Sequence, residues 1–257
     1  MAGRLVILGA GELGGRVAGL AARAGQTVLA CTATTRRHAE LAAAGAAVRV
    51  GAPPDLDAED TLLLALPGSE KQILAVSALV GGGVPRRAVL ISSTGYYGTT
   101  HGTVNEDTLP AAEPHAALVA ASEGAFAAWA GRSGVILRTG GLYRPGRGPV
   151  AALAQRGSPP LGPPDKTLAL VHYDDAAAAT LAALLHPDPR DVYLVVTPPC
   201  PTREAFYTAA CVMLGLALPT FDRRLGRAET LYDVRRLRAD LLPVPAHPRW
   251  QEALLPG

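Results

Sequence analysis

The chain has 257 residues, 49% of them hydrophobic and 18% charged, with a formal net charge of +2. Those values exclude a disordered or fibrous protein and allow a sizeable core, enough for one nucleotide-binding unit and a smaller lobe. The basic residues are scattered, with short pairs such as Arg36–Arg37 and Arg235–Arg236 in place of a continuous stripe, so neither nucleic acid nor a membrane surface is an expected partner.

The first elements set a strand, turn, helix order. Residues 4–8 form an apolar run that ends in a glycine-rich turn, and the Ala-rich stretch from Glu12 to Ala24 reads as a helix. The opening segment has the outline of a signal peptide, but Gly9, Gly11, Glu12, Gly14 and Gly15 break its apolar run. Further strands are expected at 27–31, 46–50, 61–66 and 88–93, with helices near 36–44 and 69–80 between them. A loop from Thr94 to Pro114 precedes a long helix to about Gly131 and a strand from Gly134. Continuous apolar strands alternating with helices predict a Rossmann-type α/β fold, a doubly wound parallel sheet covered on both faces.

From Gly140 onward Pro and Gly become dense, as expected of loops that cover a site. A strand near 192–196 and a helix near 204–216 complete the pattern. The division expected is a Rossmann domain over 1–150, with a smaller α/β lobe over 151–257 interleaved with the last strands of the sheet. Cys31, Cys200 and Cys211 show no paired or His-flanked spacing, so neither a disulfide framework nor a metal site is expected. A reducing, cytoplasmic location fits. No run of roughly eighteen apolar residues is free of charge, Gly and Pro, so no membrane span is predicted.

Gly9, Gly11 and Gly14 form a GxGxxG motif between a predicted strand and a predicted helix. In that setting the first glycine allows a tight turn, the second lets main-chain amides approach a diphosphate, and the third packs helix on strand. Glu12 and Leu13 within the turn, Leu66 and Pro67 after the fourth strand, and Ser92 near the end of the fifth join the expected cofactor contacts. Where an NAD enzyme carries a carboxylate for the ribose, this chain has Thr34, Thr35, Arg36 and Arg37. Hydroxyls and guanidinium forks suit a 2′-phosphate, which favours NADP(H) over NAD(H).

Residues 92–98, SSTGYYG, resemble the SSxxVYG segment of extended short-chain dehydrogenase/reductases and the NAD-dependent epimerase/dehydratase family. The stretches at 104–110 (VNEDTLP), 137–148 (LRTGGLYRPGRG) and 170–179 (LVHYDDAAAA) are similar to further family segments in the same order. The glycine turn, the TTR segment and SSTGYYG together resemble an atypical group of that family. The resemblance implies that Ser93, with Thr94 beside it, hydrogen-bonds the substrate oxygen. The family's Tyr and Lys are missing: aligning Ser122–Phe126 with the family's helix puts His115 in the Tyr position and Val119 in the Lys position. An imidazole titrates near neutrality without a lysine to tune it, which makes His115 the candidate proton donor.

Tyr96, Tyr97, His101 and Tyr143 are further candidates from the covering loops. Arg138, Arg144 and Arg147 could bind an anionic substrate or serve surface packing, whereas Asp174 and Asp175 read as a strand-to-helix corner with an Asp cap. The sequence thus predicts an NADP(H)-dependent oxidoreductase or epimerase of a small metabolite, and it allows a homodimer. The missing Tyr and Lys keep open a non-catalytic NADP(H) sensor. A purely structural subunit would have no need of the glycine spacing.

Overall fold

Strand β1 (Leu5–Leu8) is buried on both sides, and its alternate residues enter two separate cores. The computed structural model describes residues 3–53, 55–149, 161–224 and 229–254. Leu5 and Ile7 face one core, Val6 and Leu8 the other, because successive strand side chains point to opposite faces. The same division holds along β4 (Thr61–Leu64), β5 (Arg87–Ser93) and β7 (Gly134–Thr139). With β2 (Val28–Thr32), β3 (Ala47–Val50) and β10 (Val192–Val195) they form a seven-stranded sheet in the order β10-β7-β5-β4-β1-β2-β3. Every pairing in it is parallel.

One face is covered by α1 (Glu12–Arg23) and α5 (Tyr173–Leu185), whose small buried residues Ala18, Ala21, Ala176 and Ala179 allow close approach. The opposite face carries α3 (Ser69–Leu79) and α4 (Pro114–Ala130), through Val76, Phe126 and Ala130. This is the doubly wound architecture the sequence predicts. The order of strand addition reverses between β1 and β4: β2 and β3 build outward on one side of β1, and β4, β5, β7 and β10 on the other. Open parallel sheets bind ligands at the carboxyl ends of their strands beside such a switch point.

Boundaries match the sequence to within a few residues, with three differences of kind. The helix expected over 36–44 is a 3₁₀ turn, Thr35–Arg37, leading into a short α2 (His38–Ala43). The loop expected from Thr94 to Pro114 contains β6 (Gly102–Val104), which pairs with β11 (Thr230–Tyr232). Its partner is so distant along the chain that no local pattern announces the pairing. A second small pair joins β8 (Gly141–Tyr143) to β9 (Leu170–His172). Tyr143, Leu170, Phe206 from α6 (Arg203–Met213) and Leu254 build a separate small core against which Trp250 packs. The last helix, α7 (Arg235–Asp240), adds Leu237 to the main core.

Residues 150–160, within the Pro- and Gly-rich stretch expected to cover the site, lie outside the described residues. Among the described residues no helix is long and apolar enough to cross a membrane.

Candidate functional site

The turn between β1 and α1 depends on its missing side chains. Gly9 has φ +90°, and a Cβ there would stand 2.7 Å from the Ala65 carbonyl oxygen. A Cβ on Gly14 would lie 2.5 Å from the Gly9 oxygen, so only glycine lets α1 pack this closely on the turn. Gly11 differs: its nearest neighbour would be 3.9 Å away, which leaves its face open. No side chain caps α1 at Gly11, and helix geometry leaves the first-turn amides without intrahelical acceptors, so the opening faces an anion seat.

Two cavities flank this turn at the carboxyl end of the sheet, and Leu66 lines both. One, about 400 Å³, is mainly apolar, with Cys31, Ala33, Pro53, Leu56, Ala75 and Leu79 in its wall. Burial pushes the Cys31 thiol above its usual range, so it acts as part of that apolar wall. The other, about 470 Å³, is lined by Gly11, Leu13, Pro67, Ser92, Ser93, His115, Val119, Thr139, Arg147 and Tyr173 among others. A flat apolar group on one side of the turn and a polar reacting group on the other would be joined by whatever sits on Gly11. That is the layout a dinucleotide requires, and the donor set fits one.

Beyond β2 the two arginines part company. Arg37 turns inward, donating from Nε to Glu40 at 2.9 Å and from Nη1 to the Ala10 carbonyl at 3.4 Å, and so braces the glycine turn. Arg36, Thr34 and Thr35 are exposed, and Arg36 has no ion-pair partner among the described residues. Glu12, expected among the cofactor contacts, has its carboxylate engaged: Arg144 Nε donates at 2.8 Å, and Arg16 donates from Nε and Nη2 at 3.3 Å. Burial raises its pKa, but the Arg144 bond and the charges of Arg144, Arg16 and Arg37 outweigh that and hold it below 4.5. All of these bonds fall on Oε1, and Glu12 also lines the larger cavity.

At the far end of the larger cavity, Ser93 Oγ accepts from the Gly95 amide at 3.0 Å and caps the 3₁₀ turn Thr94–Tyr97. Its own proton stays available to donate. A Cβ on Gly95 would lie 2.7 Å from His115 Nε2 and 3.2 Å from Ser93 Oγ, so the bare glycine lets imidazole and hydroxyl share one corner. Thr94 does not line the cavity. Ser92 reaches its wall, but its hydroxyl donates to Glu123 Oε1 at 2.6 Å and is used internally. Val119 is buried in the wall, and α4 contains neither Tyr nor Lys.

The loop candidates Tyr96, Tyr97, His101 and Tyr143 line neither cavity. The Tyr97 hydroxyl donates to the Asn105 carbonyl at 2.8 Å and accepts from Arg138 Nη1 at 3.0 Å; burial pushes its pKa up to about 12. Tyr96 lies under the Arg138 guanidinium, 3.5 Å from ring centroid to Cζ. His101 is exposed, and Tyr143 belongs to the small core, where burial raises its pKa.

The three later arginines also separate. Arg138 is buried on Glu123 at 2.8 Å, Arg144 is tied to Glu12, and Arg147 lines the cavity with its Nε donating to Tyr173 Oη at 3.3 Å. The expected Asp cap of α5 is replaced: the N-cap position falls on His172, whose Nδ1 accepts from the Asp174 amide at 3.2 Å, while both Asp residues lie inside the first turn. Asp175 accepts from the Ala246 and His247 amides at 2.7 and 3.1 Å and so anchors the C-terminal tail. Sequence reasoning misses Tyr173, Thr139 and Gln72; Gln72 Nε2 ties the Leu66 and Ile91 carbonyls together at 2.9 Å each. Only the HYDD stretch at 172–175 offers a signal for Tyr173.

An all-parallel sheet with a glycine turn at its switch point and a cavity on each side defines a Rossmann-type α/β protein. Known structures share that fold over nearly the whole chain. A conserved protein of unknown function from Silicibacter pomeroyi superposes with TM-score 0.78 at 22% identity, covering 98% of this chain and 96% of its own. The human epimerase family protein SDR39U1, solved with NADPH, gives TM-score 0.73 at 18% identity, covering 97% and 96%. UDP-glucuronic acid 4-epimerase from Bacillus cereus, in complex with NAD, gives 0.74 at 15%, covering 97% and 95%. No family model matches the sequence, and no curated protein does.

Proposed function

We propose that the chain is an NADP(H)-dependent oxidoreductase or epimerase acting on a small metabolite such as a sugar, ketone or imine. The observation that carries this reading is the open Gly11 seat between an apolar cavity and one that holds Ser93 and His115. The main chain of Gly9, Gly11, Glu12, Leu13 and Gly14 would grip the diphosphate, and the apolar cavity would take the adenine. Arg36, with Thr34 and Thr35, would meet the 2′-phosphate, while Arg37 holds the turn. When bound, the nicotinamide supplies hydride transfer. Ser93 orients and polarises the substrate oxygen, and His115 moves the proton. Folds shared with epimerase-family structures solved with NADPH and NAD support a nicotinamide cofactor.

A second reading, a non-catalytic NADP(H) sensor, is favoured by one feature: Val119 fills the wall where a proton relay would need a cation. Calorimetric titration with NADP(H) and NAD(H), repeated with Arg36→Ala, tests the cofactor assignment. Tighter binding of NADP(H) that falls at least about tenfold in the variant is expected, and equal affinity for both coenzymes overturns it. Turnover on a panel of sugars, ketones and imines then separates the readings. His115→Gln should lower it by roughly 10²- to 10⁴-fold at unchanged coenzyme affinity. Coenzyme binding without turnover on any substrate would select the sensor.

A further inference from the structure

Beside Tyr173 but outside the lining of both cavities, three metal-ligating side chains converge, two from the corner between β9 and α5 and one from the C-terminal tail. His172 ends β9, Asp174 lies in the first turn of α5, and His247 belongs to the C-terminal tail. Each is held in place by other contacts. His172 is buried edge-on against Tyr143, with ring centroids 5.5 Å apart, and the tail backbone at His247 is pinned by the buried Asp175 carboxylate. The two imidazoles lie ring against ring at 3.7 Å.

Asp174 Oδ2 sits 3.6 Å from His172 Nδ1 and 3.5 Å from His247 Nε2, and all three donor atoms lie within 4.8 Å of one another. These separations are too long for hydrogen bonds, which need about 2.7–3.2 Å. They are close to the roughly 3.3–3.4 Å between donors on a tetrahedral ion with bonds of about 2.0–2.1 Å. Arg16, which engages Oδ1, sets the carboxylate within ion-pair range of both nitrogens, and the rings, tilted by 40°, must turn apart for both to reach one ion.

We propose that His172, Asp174 and His247 bind a divalent transition ion of the zinc class, which staples the C-terminal tail to the start of α5. Two imidazoles and one carboxylate suit Zn²⁺, Co²⁺ or Ni²⁺ and are a poor match for Mg²⁺ or Ca²⁺, which take oxygen ligands. Asp174 and His247 are partly exposed, so water completes the coordination. Arg16 engages the other carboxylate oxygen, Oδ1, and orients it from outside the ligand set. Its charge and the α5 N-terminus both oppose a cation, and the ion must displace the 3.2 Å bond from the Asp174 amide to His172 Nδ1. The site is therefore a modest binder.

The test is titration of the full chain, freed of metal by chelator, with Co²⁺ followed by visible absorption and with Zn²⁺ followed by calorimetry. One equivalent should bind with tetrahedral Co²⁺ bands that lack thiolate charge transfer, and Zn²⁺ should raise the melting temperature. His247→Gln and Asp174→Asn alter partly exposed side chains, and each should weaken binding at least about tenfold with native circular dichroism retained. Absence of saturable binding, affinity unchanged in both variants, or thiolate bands that assign the ion to a cysteine would each overturn the proposal.

Discussion

Gly11 has open space where Gly9 and Gly14 have none, and that contrast separates a folding role from a binding role. Gly11→Ala adds a methyl group at the helix cap and should change stability by no more than about 1 kcal/mol. The same methyl group stands where a diphosphate must approach, so NADP(H) affinity should fall by at least about tenfold in calorimetry. An alanine variant that binds as tightly as the parent would remove the anion seat from the argument. The glycine spacing is legible in the sequence because it acts within six consecutive residues. The different fates of Arg36 and Arg37 are not, because they depend on Glu40 one turn later and on the Ala10 carbonyl across the turn.

At the scale of elements, one buried network joins β5, β7, α4 and the 3₁₀ turn after β5. Arg138 Nη2 donates to Glu123 Oε2 at 2.8 Å, Ser92 Oγ to Glu123 Oε1 at 2.6 Å, and Arg138 Nη1 to the Glu106 carbonyl at 3.0 Å. Burial opposes the Arg138 charge, but the bonds and charge of Glu123, then of Tyr97, hold its pKa above the usual value. Removing one partner leaves the other buried and uncompensated, so Arg138→Met should cost about 3–5 kcal/mol in urea unfolding. Replacing both, as Arg138→Met with Glu123→Leu, should recover most of that loss; if it does not, the network has another support. The sequence leaves Arg138 open between anion binding and surface packing, because no partner for it is visible nearby in the chain. Glu123 reaches it only when α4 packs against β5 and β7.

Across the whole molecule, tyrosines from three elements share one response to pH. Burial, the largest cause in each case, pushes Tyr97, Tyr193 and Tyr232 from 10.0 up to about 12. In the unfolded chain these phenols lose their protons near pH 10.0, while in the folded chain they keep them until about 12. Their stabilising contribution is therefore complete below pH 10 and is lost as pH rises through that window. Unfolding midpoints should fall steeply between pH 10 and 12, with phenolate absorbance appearing alongside unfolding; early titration at an unchanged midpoint would show these hydroxyls to be solvated. The sequence alone determined the parallel sheet, the glycine turn and the strand-to-helix order, because apolar periodicity and turn chemistry act over a few neighbouring residues. Tertiary structure alone decided which side chains meet: His115 with Ser93 across Gly95, Glu123 with Arg138, β6 with β11, and His247 with His172. Those meetings join residues far apart in sequence, and the packing of whole elements, which no local pattern encodes, brings them together.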